Sequence, residues 1–203
     1  MTITLINVGK RFNREWIFRH IDHAFVPGKK YAVTGANGSG KSTLLQVIAG
    51  SLSFNEGQIS FSENGAVSAT DQVYKQVSIA APYLELIEEM TAKEMLAFHA
   101  QFKPLELPLT KILELTGLIN AADKQLRYFS SGMKQRLKLA QAFFSQTPVL
   151  LLDEPTTNLD EEGIGLYQRL IEDHTAGRLV IISSNDKQEY SFCDEVIAIA
   201  AYK

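Results

Sequence analysis

Apolar and polar residues alternate along residues 2–8 (TITLINV), 17–26 (IFRHIDHAFV) and 57–62 (GQISFS). This period of two belongs to strands with one buried face, and the three stretches predict a small antiparallel sheet. A second kind of segment is apolar without alternation. Residues 30–34 (KYAVT), 73–80 (VYKQVSIA), 149–153 (VLLLD), 179–183 (LVIIS) and 195–200 (EVIAIA) read as strands of a parallel sheet covered on both faces. Helical spacing appears from Thr43 to Ala49 and dominates between Pro82 and Gln146. There Thr91 and Glu94 form a capping-box pattern ahead of a helix reaching about Phe102, which Pro104 and Pro108 end. A short helix is expected over 110–117, and Ser130 or Ser131 caps another running to about Ser145. No internal repeat or low-complexity tract interrupts this order.

The strand over 30–34 runs into Gly-Ala-Asn-Gly-Ser-Gly-Lys-Ser-Thr at 35–43, which fits the phosphate-loop pattern G-x-x-x-x-G-K-[ST]. Gly35, Gly38 and Gly40 permit backbone angles closed to other residues, so successive N–H groups can turn inward around an anion. Ala36, Asn37, Ser39 and Thr43 complete the nucleotide-binding loop. Lys41 supplies a point charge for the outer phosphates, and the Ser42 hydroxyl is placed to ligate Mg²⁺. The helix that follows turns its positive end toward the phosphates. The expected fold class is α/β: a P-loop NTPase with a mostly parallel core sheet, a small antiparallel β-subdomain and a helical insertion. The 203 residues suit a single domain, with core and β-subdomain at about 1–82 and 146–203 and a helical subdomain at about 83–145.

The strand at 149–152 ends in Asp153 and Glu154. Side chains alternate along a strand, so the two carboxylates face different directions. Asp153 can hold Mg²⁺ through water beside Ser42, and Glu154 is then free to polarise an attacking water as general base.

Composition narrows the setting. Hydrophobic residues make up 45% and charged residues 21% of the chain, an ordinary globular balance. A net charge of −3 gives no reason to expect nucleic-acid binding. A single cysteine, Cys193, excludes an internal disulfide and reads as a buried structural thiol. Lys10, Arg11 and Arg14 interrupt the N-terminus before any long apolar run, so no signal peptide is expected. The longest apolar runs are strand-sized, so attachment to a membrane requires another chain.

Residues 128–136, Tyr-Phe-Ser-Ser-Gly-Met-Lys-Gln-Arg, resemble the signature motif of ATP-binding cassette (ABC) ATPases. Residues 150–160 (LLLDEPTTNLD) resemble the family's Walker B strand, catalytic glutamate and D-loop, and the order of motifs matches over essentially the full length. Ser130 offers a hydroxyl, and Ser131 and Gly132 offer backbone N–H groups at a helix N-terminus. In the family these groups act in trans, together with the D-loop, here Asp160. Two cassettes pack head to tail and each signature closes the other's ATP site. The departures at Phe129, Ser131 and Met133 are mild.

The resemblance implies an ATP-binding, ATP-hydrolysing transporter subunit working with ATP and Mg²⁺. Its partners are then a second cassette, a homodimer being the simplest case, and a separate transmembrane permease. The implied location is cytoplasmic, peripheral on the inner face of the cell membrane. Lys41 and Glu154 are its expected catalytic residues. The chain ends soon after its last expected strand, which points toward an exporter-type system. Phe12 stands at the family's adenine-stacking position, with Trp16 as rival. Two other classes stay open: a soluble ABC protein of ribosomes or DNA, and a regulatory module that binds ATP without much turnover.

Two positions depart from the family pattern more seriously. Its glutamine after the strand entering the helical insertion falls on Pro82, which has no side-chain ligand and no N–H. Glu85 is a nearby substitute if the loop folds back. The family's switch histidine falls on Asn185, which donates through its amide but carries no proton. None of His20, His23, His99 and His174 fits that position, and surface or strand placement is expected for them. Hydrolysis is expected to persist but to be slow, without imidazole-like pH dependence.

Overall fold

In the computed structural model, residues 1–63, 66–68 and 70–203 are described, with side chains described outside 63–72. A four-stranded antiparallel sheet takes β1 (Thr2–Phe12), β2 (Glu15–Phe25), β4 (Glu56–Glu63) and β5 (Ala66–Ser68) in the order β2-β1-β4-β5. The second sheet is parallel and five-stranded. It orders β6 (Val77–Ala80), β7 (Val149–Asp153), β8 (Leu179–Ser183), β3 (Lys30–Thr34) and β9 (Glu195–Ala198) as β6-β7-β8-β3-β9. The expected α/β class and the split into two kinds of sheet are both present.

Among the described residues, six α-helices connect the strands: α1 (Lys41–Ile48), α2 (Ala92–Ala100), α3 (Leu109–Leu115), α4 (Ser131–Phe143), α5 (Glu161–His174) and α6 (Lys187–Tyr190). The pleat of the parallel sheet divides two cores. Val149, Leu151, Leu179 and Ile181 join Leu44, Ile48, Phe18 and Phe61 on the side of α1 and the antiparallel sheet. Their neighbours Leu150, Leu152, Val180 and Ile182 join Leu96, Ile112, Leu139 and Tyr167 on the side of α2 to α5. β7 and β8 are therefore two-faced strands, whereas β9, at the edge of the sheet, buries only Ile197 and leaves Val196 54% exposed, contrary to the reading of 195–200 as covered on both faces.

Several boundaries differ from the sequence reading. The strand expected over 73–80 is a strand only from Val77. Residues Thr70–Lys75 form a 3-10 turn, whose Val73 carbonyl accepts from Gln76 N at 2.9 Å. Val73 is still buried, so the turn presents the same apolar residue to the core that an alternating strand presents. At the other end, β9 stops at Ala198 and Ile199–Tyr202 wind into a 3-10 turn. The first strand continues past residue 8 to Phe12 through register shifts between Leu5 and Arg11. Asn7 and His20, both with positive φ, face each other there and share a 2.6 Å hydrogen bond. His99 and His174 sit on helices and are partly buried. His99 bonds Ser145 Oγ at 2.8 Å, and burial lowers its pKa to about 4.

The helix boundaries in the middle of the chain follow their caps. Thr91 Oγ1 accepts from Glu94 N at 3.2 Å while Glu94 Oε2 accepts from Thr91 N at 2.8 Å, the reciprocal box expected from the sequence. Ser130 caps α4 and Asp160 caps α5, their side chains accepting from Met133 N and Gly163 N.

Candidate functional site

Strand register brings the predicted residues to one edge. Val33 lies level with Ser183, and Ser183 with Asp153. The chain leaves β3, β8 and β7 at the same height, at their C-terminal ends, where open parallel sheets place their ligands. Backbone bonds extend the register past the strands: Ser184 N donates to Val33 O at 3.2 Å and Glu154 N to Ser183 O at 2.8 Å. The loop at 35–40, Asn185 and the two carboxylates thus emerge side by side.

Gly35 and Gly40 of that loop are fixed by space as well as angle. Gly40 has φ 106°, and a Cβ there lies 2.4 Å from Ile17 Cγ2 on β2. A Cβ on Gly35 meets Ser39 Oγ at 2.7 Å and Ile199 at 2.8 Å. Gly38 has φ 74° with open space beside it. The loop is therefore pressed between β2 and the last 3-10 turn, and α1 begins at Lys41, ahead of the Thr43 start that its apolar spacing suggests.

Lys41 is 5% exposed; its Nζ donates to Gly35 O at 2.8 Å and lies 3.6 Å from Glu154 Oε1. Thr43 and Ser42 are half-buried in the first turn of α1, while Ala36 and Asn37 are exposed. Asn185 Nδ2 donates to Asn37 Oδ1 at 2.7 Å, linking the loop after β8 to the loop after β3.

The two carboxylates part as expected, but not by strand alternation: β7 ends at Asp153, and a left-handed backbone turns Glu154 aside. Asp153 is 1% exposed, and its Oδ1 has no hydrogen-bond partner among the described residues. Glu154 has φ 44°, a strained angle for a side chain of its size, and remains partly exposed beside Lys41. Burial and the Glu189 carboxylate raise its pKa; Lys41 pulls the other way but does not cancel them. Among the described residues no three His, Cys, Asp or Glu side chains cluster to hold a metal. One orphaned carboxylate oxygen near a helix start with a hydroxyl nevertheless fits Mg²⁺, which keeps several waters and takes phosphate oxygens.

The signature segment forms a separate surface. Ser130 and Ser131 are exposed at the start of α4, and a Cβ on Gly132 lies 3.0 Å from Asn158 O. A cavity of about 490 Å³ elsewhere is lined by Pro82, Glu85, Lys134 and Lys138; the one beside Gly132, about 270 Å³, is lined by Ser130, Ser131, Arg136, Asn158 and Asp160. Arg136 bridges Asp160 at 2.9 Å and Glu162 at 3.2 Å, tying the start of α5 to α4.

Phe12 projects from the end of β1 with 47% of its surface exposed and Lys10 Nζ 4.9 Å from its ring centre. Trp16 is less open. It packs on Gly9, and Arg19 stacks on its ring at 4.1 Å while also pairing with Glu56. The geometry favours Phe12 as the free aromatic face.

Glu85 does not fold back toward Asp153. It is exposed in the groove with Lys134 and Lys138, because Lys138 Nζ holds the Pro82 carbonyl at 2.9 Å and turns the following residues outward. Tyr83, which the sequence reading passed over, is 42% exposed beside Ala49 and Ser51. Partial burial and the Asp153 charge push its phenol up to about 12. A second residue that escaped the sequence reading is Glu189, on α6 just past Asn185. It is 2% exposed and accepts from Thr156 N at 2.7 Å and from the Thr156 hydroxyl. Burial of an acidic residue within a polar run leaves no trace in the sequence pattern.

Comparison with known proteins agrees with this geometry. Residues 18–157 match the family model described as ABC transporter. An uncharacterised ABC transporter ATP-binding protein of Bacillus subtilis is 32% identical over 95% of this chain and 89% of its own length. The cytochrome c biogenesis ATP-binding export protein of Haemophilus influenzae is 29% identical over 99% of this chain and 96% of its own. A solved structure of a putative ABC transporter ATP-binding protein from Pyrococcus furiosus superposes with a TM-score of 0.83, all of both chains covered, at 21% identity. A motif order, a sheet edge and a family match coincide: this chain belongs to the ABC transporter family of ATP-binding ATPases.

Proposed function

We propose that this chain is the ATP-hydrolysing subunit of an ABC transporter, working as a head-to-tail pair of cassettes that drives a separate transmembrane permease. The observation that carries the reading is the separation of two half-sites on one chain: Lys41, Asp153, Glu154 and Asn185 at the sheet edge, and the exposed N-terminus of α4 beside Asn158 and Asp160. Each half is chemically incomplete. The sheet edge holds charge and a base, and the helix start holds free donors for a phosphate.

In this reading Phe12 stacks on adenine and the amides of residues 35–43 surround the phosphates. Lys41 exchanges its contact with the Gly35 carbonyl for phosphate oxygens and stabilises their charge as it redistributes. Ser42 and the orphaned Asp153 oxygen would hold Mg²⁺, which would neutralise phosphate charge. Glu154, raised by burial, takes the proton of the attacking water. Ser130, Ser131, Gly132 and Asp160 of the second cassette close over the γ-phosphate.

Among the described residues no helix is long and apolar enough to cross a membrane, which supports a separate permease and a peripheral, cytoplasmic position on it. The related proteins named above are ATP-binding components of transporters, which supports the same assignment.

Hydrolysis by the purified chain tests it. Lys41→Ala is expected to lose ATP binding, and Glu154→Gln to bind ATP while turnover falls by about 10²–10⁴. Full turnover in Glu154→Gln would remove Glu154 as the base.

A further inference from the structure

Glu154 stands at the head of a tight turn. Its carbonyl accepts from Thr157 N at 3.1 Å, which leaves Pro155 and Thr156 as the central residues. Both are gripped by buried side chains from other parts of the chain. Gln135, 3% exposed on α4, donates its Nε2 amide to the Pro155 carbonyl at 2.8 Å. Glu189, 2% exposed on α6, accepts from Thr156 N at 2.7 Å and, on the same oxygen, from the Thr156 hydroxyl. The Tyr167 hydroxyl on α5 donates to the Glu189 carbonyl at 2.7 Å and so fixes the backbone that carries this carboxylate.

Burying these polar groups is unfavourable. The second oxygen of Glu189 is buried with no hydrogen-bond partner among the described residues. Apolar side chains would fill the same space without that penalty, so packing alone does not account for the pair. Glu154 does. Its φ of 44° is an angle that persists only where the surroundings over-determine it. The bond from Glu154 N to Ser183 O at 2.8 Å holds the residue from the sheet side. Gln135 and Glu189 hold it from the other side, through the next two residues. Gln135 lies on the helix that Ser130 starts, and Glu189 on the helix that follows Asn185.

We infer that Gln135 and Glu189 are positioning residues for Glu154: they clamp the Pro155–Thr156 turn, so that α4 and the segment after Asn185 jointly set the place of the base. A shift of either helix reaches the carboxylate through two residues of backbone. The inference rests on Glu154 serving as the base, as proposed above.

Turnover of ATP by the full chain with Mg²⁺ tests it, each substitution being made alone and again in the Glu154→Gln background. Gln135→Met and Glu189→Met keep the side-chain length and remove the hydrogen bonds. Each is expected to lower kcat about 10- to 100-fold, the effect of a misplaced catalytic group, with KM for ATP little changed. In Glu154→Gln, whose slow reaction is followed as a single turnover, neither should lower the rate further, because the base is already gone. Glu189→Gln keeps an acceptor oxygen for Thr156 and should recover most of what Glu189→Met loses. Either methionine variant turning over like the wild type overturns the inference. An equal fold loss in both backgrounds also overturns it, because the side chain then only supports the fold. So does a Glu189→Gln chain as slow as Glu189→Met. Full turnover in Glu154→Gln alone overturns the base assignment itself, and this inference with it.

Discussion

Glu154 combines a strained backbone with competing neighbouring charges. It is held at φ 44°, next to Asp153, with Glu189 behind it and Lys41 at 3.6 Å. Its pKa is raised, chiefly by burial, so the folded state binds this proton more tightly than the unfolded chain does. The stability contribution is full below the unfolded pKa and is lost as pH rises through the higher folded value. At neutral pH the ionised carboxylate is therefore a cost. Glu154→Gln is expected to melt higher than the wild type at pH 7, with the gap shrinking below the ordinary glutamate range; thermal melts across pH check this, and a lower melting temperature at pH 7 would contradict it. With Glu154 as the proposed base, turnover should fall as pH drops through that same raised pKa. Asn185 bears the second residue-scale prediction. It cannot carry a proton, so wild-type turnover should show no imidazole limb, whereas Asn185→His should turn over faster. Unchanged turnover would mean this position is not the switch. At this scale contiguous chemistry is legible in the sequence. Lys41, Asp153 and Glu154 announce themselves by spacing, whereas the left-handed turn that sets Glu154 apart from Asp153 does not. Glu189 is not legible either, because its buried place comes from contact with Thr156, distant in sequence.

Elements are legible where a local rule fixes them. The Thr91–Glu94 capping box, the two-faced strands β7 and β8 and the cap at Ser130 all follow from neighbouring residues. The strand expected over 73–80 does not, since a 3-10 turn and an alternating strand can bury the same Val73. The start of α1 is set by tertiary contact too: Gly40 can lie against Ile17 only without a side chain, and the helix begins directly after it. This gives an element-scale prediction. Gly40→Ala meets both a φ of 106° and an atom at 2.4 Å, while Gly38→Ala meets only a φ of 74° in open space. Gly38→Ala should cost about 1 kcal/mol of stability and spare most ATP affinity. Gly40→Ala should displace the loop from β2 and abolish ATP binding. Equal ATP affinities by calorimetry would show that β2 does not shape the loop.

For the whole molecule, the parallel sheet is a partition. One core ties it to α1 and the antiparallel sheet, the other to α2–α5, and the phosphate loop and signature helix grow from opposite sides of it. Lys41 and Glu154 pair at one edge while Ser130 and Asp160 frame another surface, so the two functional faces are joined through the sheet and not through a shared pocket. A second chain turned head to tail would bring one face onto the other, which is the central claim. Sedimentation of the Glu154→Gln chain with ATP and Mg²⁺ tests it most directly. A dimer is expected with ATP and a monomer with ADP, and adding Ser130→Ala or a bulky residue at Gly132 should prevent the dimer. A Glu154→Gln chain that binds ATP and stays monomeric with Mg²⁺ present would contradict the account.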